Sequence, residues 1–256
     1  MNTITLSSNQ IPDRAFPAGL GLLLFLFPVF LAPLPAAGPS EDDFSRSRQE
    51  MVEKDLRGRG IKDPRVLEAM SSVPRHLFVA ERHRSSAYQD RPLPIGEAQT
   101  ISQPYVVALM TELLELKGDE KVLEVGTGSG YQAAVLSHLA REVYTIEIVA
   151  PLAQRARETL TRLGYSNIWV KTGDGFFGWE EKGPFDAILV TASAKKIPEL
   201  LWHQLREEGR MVMPLGGERQ SQRLVRVRKI AGRQHVEDIT GVIFVPMTGA
   251  VQRGVR

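Results

Sequence analysis

The stretch VLEVGTGSGY, from Val122 to Tyr131, constrains the fold more than any other part of the chain. An apolar run enters three glycines at alternate positions, Gly126, Gly128 and Gly130, and a helical pattern opens directly after them. Glycine lets the backbone turn sharply and approach a ligand, and a helix start offers unpaired amides. A strand, a glycine turn and a helix in that order form the first unit of a doubly wound parallel sheet. A dinucleotide fingerprint needs G-x-G-x-x-G, and its third glycine would fall at Tyr131, so that cofactor class is disfavoured.

The following segments alternate as this reading requires. Strands are expected over Lys121 to Val125, Glu142 to Ile146, Ile168 to Lys171, Phe185 to Thr191 and Arg210 to Pro214. Helices are expected over Tyr131 to Leu139, Pro151 to Leu163 and Pro198 to Glu207, and one begins at Pro104. Two further helices precede them, Ser45 to Arg59 stopped by Gly60, and a second opened by Asp63 as cap with Pro64 at the first position. The polar, proline-containing stretch Glu81 to Gly96 reads as a loop. Near the end, Leu224 to Ile230 and His235 to Val245 alternate around a turn at Ala231 to Arg233, which predicts an antiparallel hairpin. Its stripe Arg223, Arg226 and Arg228 reads as a solvated strand face. The fold class expected is α/β, a doubly wound, mostly parallel sheet with a C-terminal antiparallel hairpin and an N-terminal helical addition.

Three acids end successive strands. Glu124 stands just before the glycines, Glu147 follows about twenty residues later, and Asp174 comes in TGDGF. Ligands bind at the carboxyl ends of parallel strands, where an acid can accept from ribose hydroxyls or an adenine amino group. Taken singly, Glu147 reads equally as a solvated strand end and Asp174 as an ordinary Asp-Gly turn. The combined pattern E-x-G-x-G-x-G resembles motif I of the class I S-adenosylmethionine methyltransferases, whose fold is Rossmann-like, and Glu124 suits a cofactor carrying an ammonium and a sulfonium.

VPRHLFV (Val73 to Val79), YQDRPLPIG (Tyr88 to Gly96) and IGEAQTISQPYVVALMTELLEL (Ile95 to Leu116), with the glycine turn, closely resemble the protein-L-isoaspartate O-methyltransferases from about Met51 to Thr248. The resemblance implies methyl transfer from S-adenosylmethionine to isoaspartyl carboxylates of damaged proteins, initiating repair through a succinimide. It implies cofactor contacts from Glu124, Gly126, Glu147 and Asp174, with Thr127, Gly128, Gly173 and Thr248 beside them. It also implies catalysis by Ser102, with Thr100, Ile101 and Gln103 at the substrate. Read alone, Thr100 and Ser102 are better explained as caps of the helix that Pro104 opens. That helix end, with free amides and a positive dipole, would attract an anionic acceptor. The alternatives are a methyltransferase of a small molecule or another carboxylate, and a non-catalytic adenosine-ligand sensor.

Charge adds little, since 32 basic residues nearly balance 30 acidic ones, and no nucleic-acid partner is expected. Five scattered histidines and no cysteine leave no metal-ligand spacing, disulfide or thiol nucleophile. From Ala15 to Ser40 there is no charged residue, and Gly19 to Leu34 is densely apolar, as a signal peptide or membrane anchor would be. Translation starting at Met51 is the other reading. Residues 1–43 are set aside as an apolar segment and linker, with membrane contact only if that segment is retained, and residues 44–256 as the catalytic domain. A cytoplasmic monomer is expected.

Overall fold

The computed structural model describes residues 38–217 and 221–253. The apolar run Gly19 to Leu34 lies outside these residues, and no described helix is long and apolar enough to cross a membrane.

Seven strands form the main sheet. β3 (Lys121–Val125), β4 (Glu142–Glu147), β5 (Ile168–Thr172), β6 (Phe185–Val190), β7 (Leu205–Leu215), β8 (Gln222–Ile230) and β9 (Arg233–Val242) follow β1 (Leu93–Gly96) and β2 (Gln99–Ile101), which pair separately as a small antiparallel hairpin. Across the main sheet the order is β5-β4-β3-β6-β7-β8-β9. Pairs from β5 to β7 are parallel, and β8 and β9 extend the sheet antiparallel.

The central strands read as largely apolar runs, broken at Glu124 and Thr145, because both of their faces are covered. Successive side chains point to opposite faces. Val122, Val143, Leu189 and Val212 pack into the layer formed by α2 (Pro64–Ser72), α3 (Pro104–Leu113) and α4 (Tyr131–Ser137), while Leu123, Ile146, Ile188 and Met211 pack with Leu201 and Trp202 of α6 (Glu199–Gln204). A further helix, α5 (Ala150–Arg162), buries Leu152, Ala153, Ala156 and Leu160 at helical spacing.

Several boundaries differ from expectation. The first helix, α1 (Glu41–Glu50), begins inside the expected linker because Ser40 and Asp43 form a reciprocal capping box. It continues through a wider turn (Met51–Leu56) and a tighter one (Arg57–Arg59) to Gly60, whose φ of +99° ends it in the left-handed region. Glu81 to Gly96 is not all loop, since a short 3-10 segment (Glu81–Ser86) and β1 occupy it. α6 stops at Gln204 instead of Glu207 because Leu205, 1% exposed, pairs with Phe185 in the sheet. A bulge before Arg210 then restores register with Ala187. β9 ends at Val242 and not at Val245, and the chain beyond it leaves the sheet. The arginine stripe is not simply solvated either. Arg210, Arg226 and Arg228 converge on the Glu115 carboxylate at 3.0, 2.6 and 2.8 Å, and Arg226 also meets Glu237. Arg223 alone of the stripe keeps to the surface, paired with Asp238.

Candidate active site

The carboxyl ends of β3, β4, β5 and β6 share one edge of the sheet, and a pocket opens there. Its floor is the glycine turn. Gly126 and Gly128 take φ of +100° and +54°, and Gly126 and Thr127 donate their amides to the Ile146 carbonyl at 2.8 and 3.2 Å, bending the turn over β4. Gly126 also has no room for a side chain, because a Cβ would collide with Thr191 Oγ1, which donates to the Gly126 carbonyl at 2.7 Å.

Glu147 ends β4 on the pocket wall. Its carboxylate accepts from Gly128 N at 2.8 Å and Val149 N at 2.9 Å. A carboxylate has about four acceptor sites, so two remain for hydroxyl donors of a ligand. Ile148 and Val149 continue that wall, and Val245 to Thr248 close the pocket from the C-terminal side. Pro246 lies beside Ser193, and Met247 N donates to the Ser193 carbonyl, so the last segment is pinned to the end of β6.

Two of the expected acids stand behind the wall and not on it. Glu124 has no exposed surface. Its Oε2 accepts from Thr145 Oγ1 at 2.6 Å, Thr145 in turn meets Thr127 Oγ1 at 2.6 Å, and Oε1 has no partner. Burial pushes the Glu124 carboxyl up to about 8, so it is protonated at neutral pH. Asp174 caps the turn Gly175–Phe177, accepting from Phe176 N at 3.0 Å, and it accepts from Ala250 N at 2.7 Å. It therefore ties the end of β5 to the closing C-terminal segment. Gly173 N donates to the Glu147 carbonyl, and the next glycine, Gly175, reaches the pocket itself.

The β1–β2 hairpin brings the remaining candidates. Thr100, Ile101 and Ser102 line the pocket. Thr100 and Ser102 also line an adjoining groove with Gln103, Val106 and the chain around Phe244. Ser102 thus stands where the two cavities meet. The start of α3, however, is not a free anion site. Pro104 has no N–H, and Tyr105 N donates to Asp90 Oδ1 at 2.9 Å. Asp90 Oδ2 holds Gln103 Nε2 at 2.7 Å and also meets Arg59. An internal carboxylate occupies the position expected to be open.

Sequence reasoning passed over Thr191, Asp90 and the wall residues Ile148 and Met247. Thr191 had a visible signal, since it follows a parallel strand at its carboxyl end. Asp90 stands in the YQDRPLPIG segment, but nothing there showed its role, because its partners lie 31 residues before it and 13 and 15 after.

The residues present fit a sulfonium nucleoside. Glu147 offers acceptors for hydroxyls, the glycine turn offers close backbone approach, and among the described residues no cationic side chain lines the pocket to repel positive charge. A family model described as protein-L-isoaspartate(D-aspartate) O-methyltransferase matches residues 46–252. Protein-L-isoaspartate O-methyltransferase 2 of Shewanella sediminis is 54% identical over 237 residues, covering 90% of this chain and 96% of its own. The protein-L-isoaspartate O-methyltransferase of Geobacter metallireducens is 55% identical over 208 residues, 81% of this chain and 96% of its own. Among solved structures, a protein-L-isoaspartate O-methyltransferase superposes with a TM-score of 0.74 at 28% identity, covering 79% of this chain and 67% of that one. A Plasmodium falciparum structure, described as a beta-aspartate methyltransferase in complex with S-adenosyl-L-homocysteine, gives 0.69 at 28% identity, covering 78% and 98%. With the pocket placed as in a class I methyltransferase and the match running over nearly all described residues, the chain belongs to the protein-L-isoaspartate(D-aspartate) O-methyltransferase family.

Proposed function

We propose that the pocket at the end of β3 holds S-adenosylmethionine and that Ser102 presents the substrate carboxylate to it across the junction with the groove. The reaction is that of the family, methylation of the free carboxylate of L-isoaspartyl residues. The observation that supports the residue assignment is that Ser102 lines both cavities; Thr100 and Thr191 do so too, and of these hydroxyls Ser102 is the one to which the resemblance in TISQP gives the catalytic role.

Glu147 would hold the ribose hydroxyls, and the backbone of Gly126, Thr127 and Gly128 the amino-acid portion. Thr248 would line the adenine end, with Gly173 and Asp174 behind it, where Asp174 holds the closing segment in place through Ala250 N. Glu124, protonated and enclosed, acts through Thr145 and Thr127 on the shape of the floor instead of meeting a charge directly. Bound there, S-adenosylmethionine supplies an electrophilic methyl group on its sulfonium.

The demands on the remaining residues are modest. A carboxylate of this type has a pKa of about 4 and is ionised at neutral pH, so no strong general base is needed. Ser102 Oγ donates a hydrogen bond that orients one carboxylate oxygen, and Thr100, Ile101 and Gln103 shape the approach. Holding reactants in line can lower a barrier by several kcal/mol. The methyl ester is then attacked by the following backbone nitrogen, methanol leaves, and the succinimide hydrolyses in part to normal aspartate.

The test uses labelled S-adenosylmethionine with paired isoaspartyl and aspartyl peptides. Ser102→Ala should lower turnover while keeping S-adenosylhomocysteine affinity, and Asp174→Ala should weaken the nucleoside first. Equal loss of nucleoside affinity in both variants contradicts this division of roles. We also place the protein in the cytoplasm as a monomer, which N-terminal sequencing and light scattering of the native protein check.

A further inference from the structure

Arg75 is the largest side chain buried without exposure. It lies in the turn that follows α2, and its guanidinium sits 4.8 Å from the centre of the Tyr131 ring. Among the described residues it forms no ion pair; Nε donates to the Ala87 carbonyl at 2.7 Å, Nη2 donates to the Ser102 carbonyl at 2.7 Å, and Nη1 has no partner. Burial lowers its pKa to about 10, so it stays charged at neutral pH. Burying a cation without a carboxylate is costly. What Arg75 holds in return is two backbone carbonyls, of Ala87 and Ser102, and the face of the Tyr131 ring.

It meets the site at two places, the Ser102 backbone and the face of Tyr131, which lines the pocket. The first turn of α3 closes with Val107 N on the Gln103 carbonyl at 3.1 Å, which leaves the Ser102 carbonyl one residue ahead of that bond. Arg75 supplies the donor it receives. A planar guanidinium with two fixed donors holds a peptide plane more rigidly than an ammonium can. On the other side of the same segment, Asp90 holds Gln103 and Tyr105.

We propose that Arg75 is a positioning residue, fixing the Ser102 peptide so that Ser102 Oγ points at the acceptor carboxylate. This rests on the reading of Ser102 given above. Arg75 lines neither cavity; it acts on the reaction through Ser102, and its contact with Tyr131 is packing on the nucleoside side, which the affinity readout follows.

A double-mutant cycle of Arg75→Lys and Ser102→Ala tests it, with kcat and KM for an isoaspartyl peptide and calorimetric S-adenosylhomocysteine affinity as readouts. Misplacing a reacting group by about 1 Å can cost about a hundredfold. R75K should lower kcat by about tenfold to a hundredfold, with KM and nucleoside affinity changed by less than about threefold. In the S102A background the same substitution should change kcat by less than about twofold, because nothing is left to aim. Additive losses, with S102A itself impaired, overturn the role of Arg75 and leave that of Ser102 standing. Full activity in R75K overturns it equally. Full activity in S102A overturns both. If R75K does not accumulate as folded protein, Arg75→Gln, which keeps an uncharged donor, runs through the same cycle with the same outcomes.

Discussion

Replacing Glu124 by Gln should flatten the dependence of stability on pH. The carboxyl is wholly enclosed, has one partner in Thr145, and titrates at about 8 in the fold against 4.5 for an ordinary glutamate. Between those values the folded chain keeps a proton that the unfolded chain has lost. The stabilisation is full below the unfolded value and is lost as pH rises through the folded one, by about 1.4 kcal/mol per unit. From about pH 5 to about pH 7.5 this amounts to about 3 kcal/mol from one side chain. Glutamine accepts from Thr145 as the acid does and sets a donor where the protonated acid has its own, but it does not titrate. Urea unfolding of the ligand-free protein across that range, fitted by linear extrapolation, gives the comparison. Wild type should lose about 3 kcal/mol relative to E124Q as pH rises. A difference that stays constant with pH would mean the carboxylate is already ionised inside the fold, and the account of Glu124 would fail.

Gly126→Ala forces a side chain into a φ of +100° and against Thr191 Oγ1, which should cost about 2 kcal/mol of stability and at least about tenfold in S-adenosylhomocysteine affinity, read by thermal unfolding and calorimetry. Asp90→Ala removes the cap on Tyr105 N and the anchor of Gln103, so stability should fall by about 1 to 2 kcal/mol and peptide KM should rise while nucleoside affinity holds. Glu115→Gln leaves Arg210, Arg226 and Arg228 around a neutral group at a half-exposed site; a loss of about 1 kcal/mol, shrinking with added salt, should appear in urea melts without change in turnover.

Strands β3, β4 and β6 were legible almost to the residue because both faces are covered, so each reads as a short, mostly apolar run between turn signals, and the edge strand β5 was legible from its short β-rich pattern. α2 was equally clear, since Asp63 and Pro64 carry the start signal in two adjacent residues. Apart from the start of α1, which its own capping box sets, the misread boundaries are decided by partners on other elements. Leu205 continues a helical pattern locally, yet it is drawn into the sheet by Phe185. β1 is hidden by Pro92 and Pro94 and becomes a strand only through its pairing with β2. In the site, Glu124 could be picked out as an acid beside the glycines, but its protonation depends on how completely the surrounding layers close over it. The start of α3 looked open because Asp90, which fills it, arrives from an earlier loop. Arg75 looked like an ordinary basic residue in an apolar motif until its distance to the Ser102 carbonyl was known.

The segment from Val245 to Thr248 walls the pocket, and Ala250 N closes on Asp174 from the same side. On the ribosome these residues are made well after the glycine turn and every parallel strand. A nascent or prematurely terminated chain can therefore assemble the whole parallel sheet and still lack one side of its nucleoside pocket. Competence to bind the methyl donor arrives only once Val245 to Thr248 have been made, so copies halted before that segment would neither sequester the cofactor nor methylate their neighbours.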